Sequence, residues 1–184
     1  MSNTKVVAVS GISGAGKTTT VKQLANEFHC PFLLFDDHID KDTYPQDMKL
    51  WLNNGANVSL IRTPSFVSAL KSLISKSSSL YIFIEEPFGK ERNSMSSLID
   101  YVILLDQPME LCLARIIKRH TEQASSDLIG SISSYLDKYE DHYREIYISA
   151  ATQARNNSDL IFKEVLSIKD TTNFIVNWLK TKEN

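Results

Sequence analysis

Val6-Val7-Ala8-Val9-Ser10-Gly11-Ile12-Ser13-Gly14-Ala15-Gly16-Lys17-Thr18-Thr19 begins as a β-branched apolar run, passes through a glycine-rich turn and ends on a lysine and two threonines. Val6–Ser10 reads as a buried strand. Gly11–Thr18 fits G-x-x-x-x-G-K-[ST] at every fixed position. Each residue type has a physical reason. The glycines let the main chain curl, so that the N–H groups across Gly11, Ile12, Ser13, Gly14, Ala15 and Gly16 converge on phosphate oxygens. A helix starting near Gly16 aims its positive end at the same oxygens. Lys17 then reaches the β- and γ-phosphates, the Thr18 hydroxyl is placed for Mg²⁺, and Thr19 for the α-phosphate. The strand–loop–helix setting separates this match from a chance glycine turn.

Outward from the motif, strands and helices alternate. The first helix carries Val21, Leu24, Ala25 and Phe28 on one face and stops at Pro31. Phe32–Phe35 reads as a second strand ending at Asp36–Asp37, and the polar stretch Asp40–Asn57 holds a short helix around Met48–Leu52. Thr63–Pro64 opens a helix with the stripe Phe66, Leu70, Leu73 and Ile74. Leu80–Ile84 is a third strand; a helical piece around Ser94–Ile99 leads to the fourth, Tyr101–Leu105. Pro108 starts a helix to about Arg119, and Ser126 or Asp127 caps the next. The stripe of that helix, Leu128, Ile132, Tyr135, Leu136, Tyr139, Tyr143, Ile146 and Tyr147, reads as core packing. Leu160–Phe162 is the fifth strand, and Phe174, Ile175, Trp178 and Leu179 mark a last amphipathic helix. Strands apolar on both faces and separated by helices predict a three-layer α/β/α domain over residues 1–184, with a parallel sheet of about five strands.

Bulk composition narrows the function classes. The chain has 184 residues, 42% apolar and 23% charged, with 20 basic and 22 acidic residues and a net charge of −2. No basic excess points to nucleic acid or to an anionic membrane. No apolar run approaches the ~18 residues a membrane helix needs. Cys30 and Cys112 lie far apart with no zinc spacing, which fits reduced thiols and a cytoplasmic location. Self-association into a homo-oligomer is compatible with this composition.

In an open α/β sheet, ligands bind beyond the carboxyl ends of the strands. Acids stand at three such ends: Asp36–Asp37, Glu85–Glu86 and Asp106. Phosphoryl transfer needs a carboxylate near the acceptor hydroxyl and oxygen ligands for Mg²⁺. Asp36 or Asp37 suits the first role, and Thr18, Asp36 and Glu85 the second. Asp106 competes with Glu85, but the helix start at Pro108 explains it equally well. Arg115 and Arg119, one turn apart on the helix after strand four, suit a phosphoryl clamp. Residues 119–127 read as a short lid.

With these motifs placed, the chain resembles the uridine kinase-like branch of P-loop nucleoside kinases. The matching pieces are GISGAGKTT at Gly11–Thr19, FDDH at Phe35–His38, YIFIEEP at Tyr81–Pro87 and ARIIKRH at Ala114–His120; a long helix and short strand across Ser134–Phe162 follow in the same order. The resemblance implies a general base at Asp36, the strand-three acid at Glu85, and lid arginines at Arg119 and Arg115. It departs after Pro64, where Ser65-Phe66-Val67 replaces the family's Tyr-Asp and no His and Arg follow to build a nucleobase pocket.

The expected activity is therefore ATP-dependent transfer of the γ-phosphoryl group to a hydroxyl of a small-molecule acceptor, with Lys17, Asp36, Arg115 and Arg119 as the catalytic groups, ATP and Mg²⁺ bound, and nucleosides first among acceptors. The competing readings are an ATPase- or GTPase-type switch and a degenerate nucleotide-binding module. Asn156–Asp159 lacks the lysine of a guanine-reading N-K-x-D, which disfavours a GTPase.

Overall fold

Alternation along the strands sorts the core. In β1 (Lys5–Ser10), Val7 and Val9 face one side with Phe83, Ile103 and Phe162, while Val6 and Ala8 face the other with Ile82, Ile84 and Val102. Every one of these side chains is buried, so both faces of the sheet must be covered by helices. The computed structural model describes residues 4–122 and 128–183. Its strands are β1, β2 (Phe32–Leu33), β3 (Tyr81–Glu85), β4 (Tyr101–Leu105) and β5 (Leu160–Phe162), all parallel, in the order β2-β3-β1-β4-β5. The chain leaves β1 toward β2, returns through β3 and crosses over to β4. The crevice beyond the carboxyl end of β1 is thus the switch point where such sheets bind ligands.

The helices are α1 (Lys17–Phe28), α2 (Met48–Asn53), α3 (Pro64–Lys76), α4 (Asn93–Ser96), α5 (Met109–Glu122), α6 (Leu128–Lys138), α7 (Arg144–Asn156) and α8 (Ile168–Lys180). α1 and α8 pack on one face of the sheet through Val21, Leu24, Ile175 and Leu179; α3 and α4 pack on the other through Phe66, Leu70 and Met95. No side chain caps the N-terminus of α1. An absent cap costs about 1 kcal/mol, while full burial of Val21 and Leu24 contributes roughly 1.5–3 kcal/mol each. Packing therefore holds the helix while its first amides stay free for another partner.

Three local readings change. The second strand stops at Leu33, because Asp36–His38 turn into a 3-10 helix. The helix expected to run unbroken through Tyr147 is interrupted by a π-helical turn at Tyr139–Tyr143. Tyr135, Tyr139 and Tyr143 are only half-buried and pack on one another rather than in the sheet core. The caps assigned to Ser126 or Asp127 lie outside the described residues, as do residues 123–127 of the expected lid; residues 119–122 continue α5.

A third cluster matters for the site. Phe35, Trp51, Ala56, Val58, Ile61, Phe88, Ile146 and Ala150 form a small core of their own. It lies beside the loop that follows β1 and carries the segment between α2 and α3.

Candidate active site

The loop after β1 is held open by backbone shape. Gly14 (φ +81°) and Gly16 (φ +98°) lie in the left-handed region. A Cβ on Gly14 would also stand 2.3 Å from the Cys112 carbonyl oxygen of α5. The loop can therefore pass close to α5 only as glycine. Gly16 precedes α1, and the first amide bonding back is that of Thr20, to the Gly16 oxygen at 3.0 Å.

Lys17 is buried, with Nζ 3.5 Å from Glu85 Oε1 and donating to the Ile12 carbonyl at 3.1 Å. Thr18 Oγ1 donates to Glu85 Oε2 at 2.8 Å. Glu85, at the end of β3, is itself buried, and its charge is matched by these two donors. Arg115 Nη1 donates to the Gly14 carbonyl at 3.2 Å from the α5 side. Ser13, Gly14, Gly16, Lys17, Thr18, Thr19, Asp36, Glu85, Arg115 and Arg119 all border one polar cleft. The sequence-derived phosphate, metal and arginine groups thus converge, apart from Gly11 and Ile12, which line the neighbouring cleft, and Ala15, which is buried.

A second cleft, of about 220 Å³, opens on the other side of Asp36. Its wall is the third core cluster, chiefly Phe35, Trp51, Ile61, Phe88 and Ile146. Ser13, Lys17, Asp36 and Glu85 line both clefts. Asp37 is exposed and lines neither.

The residues present fit a divalent hard cation in a limited sense. Thr18 and Glu85 supply adjacent oxygens, and Asp36 borders the same cleft. Among the described residues no three His, Cys, Asp or Glu side chains cluster as a metal site. Mg²⁺ commonly takes one or two protein oxygens and completes its shell with phosphate and water, and Thr18 and Glu85 offer two such oxygens.

No known family model matches the sequence, and no curated protein matches it. Solved structures do match. A shikimate kinase from Acinetobacter baumannii, in complex with shikimate, aligns with TM-score 0.53 and 15% identity over 98% of this chain and 96% of its own. A shikimate kinase from Aquifex aeolicus gives TM-score 0.52 and 16% identity over 97% and 98%. A deoxyadenosine kinase from M. mycoides, with dCMP and dCDP bound, gives 0.54 and 16% over 96% and 99%. This is the P-loop kinase fold. At these identities the likeness is one of fold.

Within this P-loop kinase fold, two groups matter that the sequence left unassigned. Glu86, one of the acids at the strand ends, is fully buried and pairs with Arg92 through both oxygens, Nε to Oε1 at 3.0 Å and Nη2 to Oε2. Arg92 Nη1 also donates to Thr63 Oγ1 (2.8 Å) and the Ile61 carbonyl (3.1 Å), and its guanidinium lies 5.3 Å from the centre of the Phe35 ring. It ties the wall of the second cleft to the end of β3. Burial pushes the Glu86 carboxyl up, against the pull of Arg92. Tyr147, read as packing, lines the second cleft, and its hydroxyl meets that of Tyr135 at 3.1 Å. Asp106 accepts two bonds from Arg155 (2.7 and 3.1 Å) instead of approaching Thr18.

Proposed function

We propose that this chain is an ATP-dependent phosphotransferase, acting as one domain, that moves the γ-phosphoryl group to a hydroxyl of a small metabolite, with nucleosides foremost among acceptors. The observation that carries the proposal is the position of Asp36. It borders a polar cleft made by Gly14, Lys17, Thr18, Arg115 and Arg119, and also an aromatic cleft suited to an acceptor.

The chemistry follows from those side chains. The loop amides and the Lys17 ammonium grip the nucleotide tail. The carboxylate of Asp36 takes the acceptor's hydroxyl proton as the acceptor oxygen bonds to the γ-phosphorus. The bond from that phosphorus to the β-phosphate oxygen breaks, and ADP leaves. Arg115 and Arg119 stabilise charge on the transferred group. Mg²⁺, held by Thr18 and Glu85 with Asp36 nearby, would neutralise phosphate charge. Residues 119–127 serve as the lid and exclude water. A cytoplasmic location supplies ATP, and among the described residues no helix is long and apolar enough to cross a membrane.

The test is ADP release from ATP and Mg²⁺ against a panel of nucleosides, sugars and vitamin alcohols. The proposal expects at least one to raise release at least tenfold and Lys17→Ala to abolish the rise. Acceptor-independent ATP hydrolysis throughout would favour the switch-type alternative.

A further inference from the structure

The second cleft is aromatic, and among the described residues that line it the one cation, Lys17, is paired with Glu85. Its charged lining is Lys17, Asp36 and Glu85, one positive against two negative groups. Lys17 sits 3.5 Å from Glu85, on the phosphate side. Arg92 stands behind Phe35 with no exposed surface, its donors taken by Glu86, Thr63 and Ile61.

Several cations on the surrounding elements have carboxylate partners or line other depressions. Lys49 of α2 pairs with Asp141 at 2.6 Å, Arg144 of α7 with Glu145 at 2.7 Å, and Arg155 with Asp106. Arg62 and Lys71 line a separate depression with Pro64. The stretch Gln123-Ala124-Ser125-Ser126-Asp127 holds no basic residue.

A carboxylate entering beside Phe35 and Trp51 would be desolvated among apolar side chains; the one cation of the lining, Lys17, is already paired with Glu85, and Asp36 adds a further negative charge. Burial of an unpaired anion is among the most costly events in a protein interior. A neutral apolar body meets the opposite situation. The indole N–H of Trp51 donates to the Asn57 carbonyl at 2.9 Å, so the ring offers its apolar surface. Tyr44 also lines the cleft and offers it a hydroxyl.

Resting on the phosphotransferase reading above, we infer that the acceptor is an uncharged alcohol with an apolar or aromatic body, and that hydroxy acids and phosphomonoesters are rejected. Phe35, Trp51, Ile61 and Phe88 hold the body, while Asp36 faces the hydroxyl. The discriminating feature is charge at the wall, not size.

Calorimetric titration of the unaltered chain with matched pairs tests this: uridine against its 6-carboxylate orotidine, and benzyl alcohol against mandelate. The neutral member should bind at least about tenfold tighter in each pair, given the cost of an unpaired buried anion. Met48→Arg, at the half-buried edge of the cleft, supplies the missing cation and should shrink that ratio severalfold. Equal or tighter binding of the carboxylates, no binding of either neutral ligand, or an unchanged ratio in the variant would overturn the inference. ADP release is followed in the same samples. Neutral ligands that bind while no alcohol ever raises ADP release would sustain the neutral-ligand cleft and remove the kinase reading. Anion-preferring turnover would do the reverse.

Discussion

Arg92 and Glu86 face each other as a two-point ion pair with no exposed surface on either side chain. The pair spans the turn after β3 and, through Thr63 and Ile61, anchors the segment that walls the aromatic cleft. Removing one partner leaves a buried charge alone. Arg92→Met should therefore lower unfolding free energy by about 3–5 kcal/mol, and adding Glu86→Leu should restore much of the loss. Urea denaturation of the single and double variants measures both. A single variant as stable as the parent would mean that the pair is not closed in solution.

Gly14 is set apart by both its backbone angle and its distance to α5. Gly14→Ala places a methyl 2.3 Å from the Cys112 oxygen at φ +81°. The loop must move, and its amides with it. Affinity for a non-hydrolysable ATP analogue should fall more than about tenfold, since a misdirected phosphate cradle loses several charge-assisted bonds. Unchanged affinity by titration would separate this loop from nucleotide binding.

The Thr18–Glu85 contact predicts a metal dependence. Chelation of divalent ions with EDTA should abolish ADP release, and Thr18→Val should raise the Mg²⁺ concentration needed for half-maximal rate by at least about tenfold. A variant with the parent's Mg²⁺ curve would place the ion elsewhere.

Alkaline pH should destabilise the fold. Tyr81 is buried and donates to Glu183 at 2.7 Å; desolvation first, then Glu183, raises its phenol pKa. Burial raises the Cys112 thiol likewise. Both groups hold protons more tightly folded than unfolded, so above the unfolded pKa values the native state binds the excess protons. Stability is full below about pH 8.5 and falls as pH rises through the folded values. Melting temperatures at rising pH check the slope, and Tyr81→Phe should flatten it. A Tm that is constant to strongly alkaline pH would contradict the burial of these groups.

Much of the fold could be read because its signals are local. Val6–Thr19 contains strand, loop and helix start in one stretch, and the apolar runs at Tyr81–Glu85 and Tyr101–Leu105 are bounded by acids and turns. Glu85 was legible for the same reason, as the acid closing a buried strand. Arg92 was not: its partners Thr63 and Ile61 are about thirty residues away, and nothing in a hydrophobic pattern marks a buried arginine. The aromatic cleft was equally hidden, since Phe35, Trp51, Phe88 and Ile146 come from four separate segments that only the fold assembles. The second strand was overread because Leu34 and Phe35 are buried as strand residues would be, yet they turn into the 3-10 helix that presents Asp36.

The most direct test concerns Asp36, which stands between the phosphate cleft and the aromatic cleft. Asp36→Asn keeps the shape of the side chain and removes its basicity. Acceptor-dependent turnover should drop by about 10²–10⁴, while the dissociation constant of the ATP analogue stays within about threefold of the parent, because Lys17 and the loop amides are untouched. Turnover equal to the parent's, measured as acceptor-stimulated ADP release, would contradict the account.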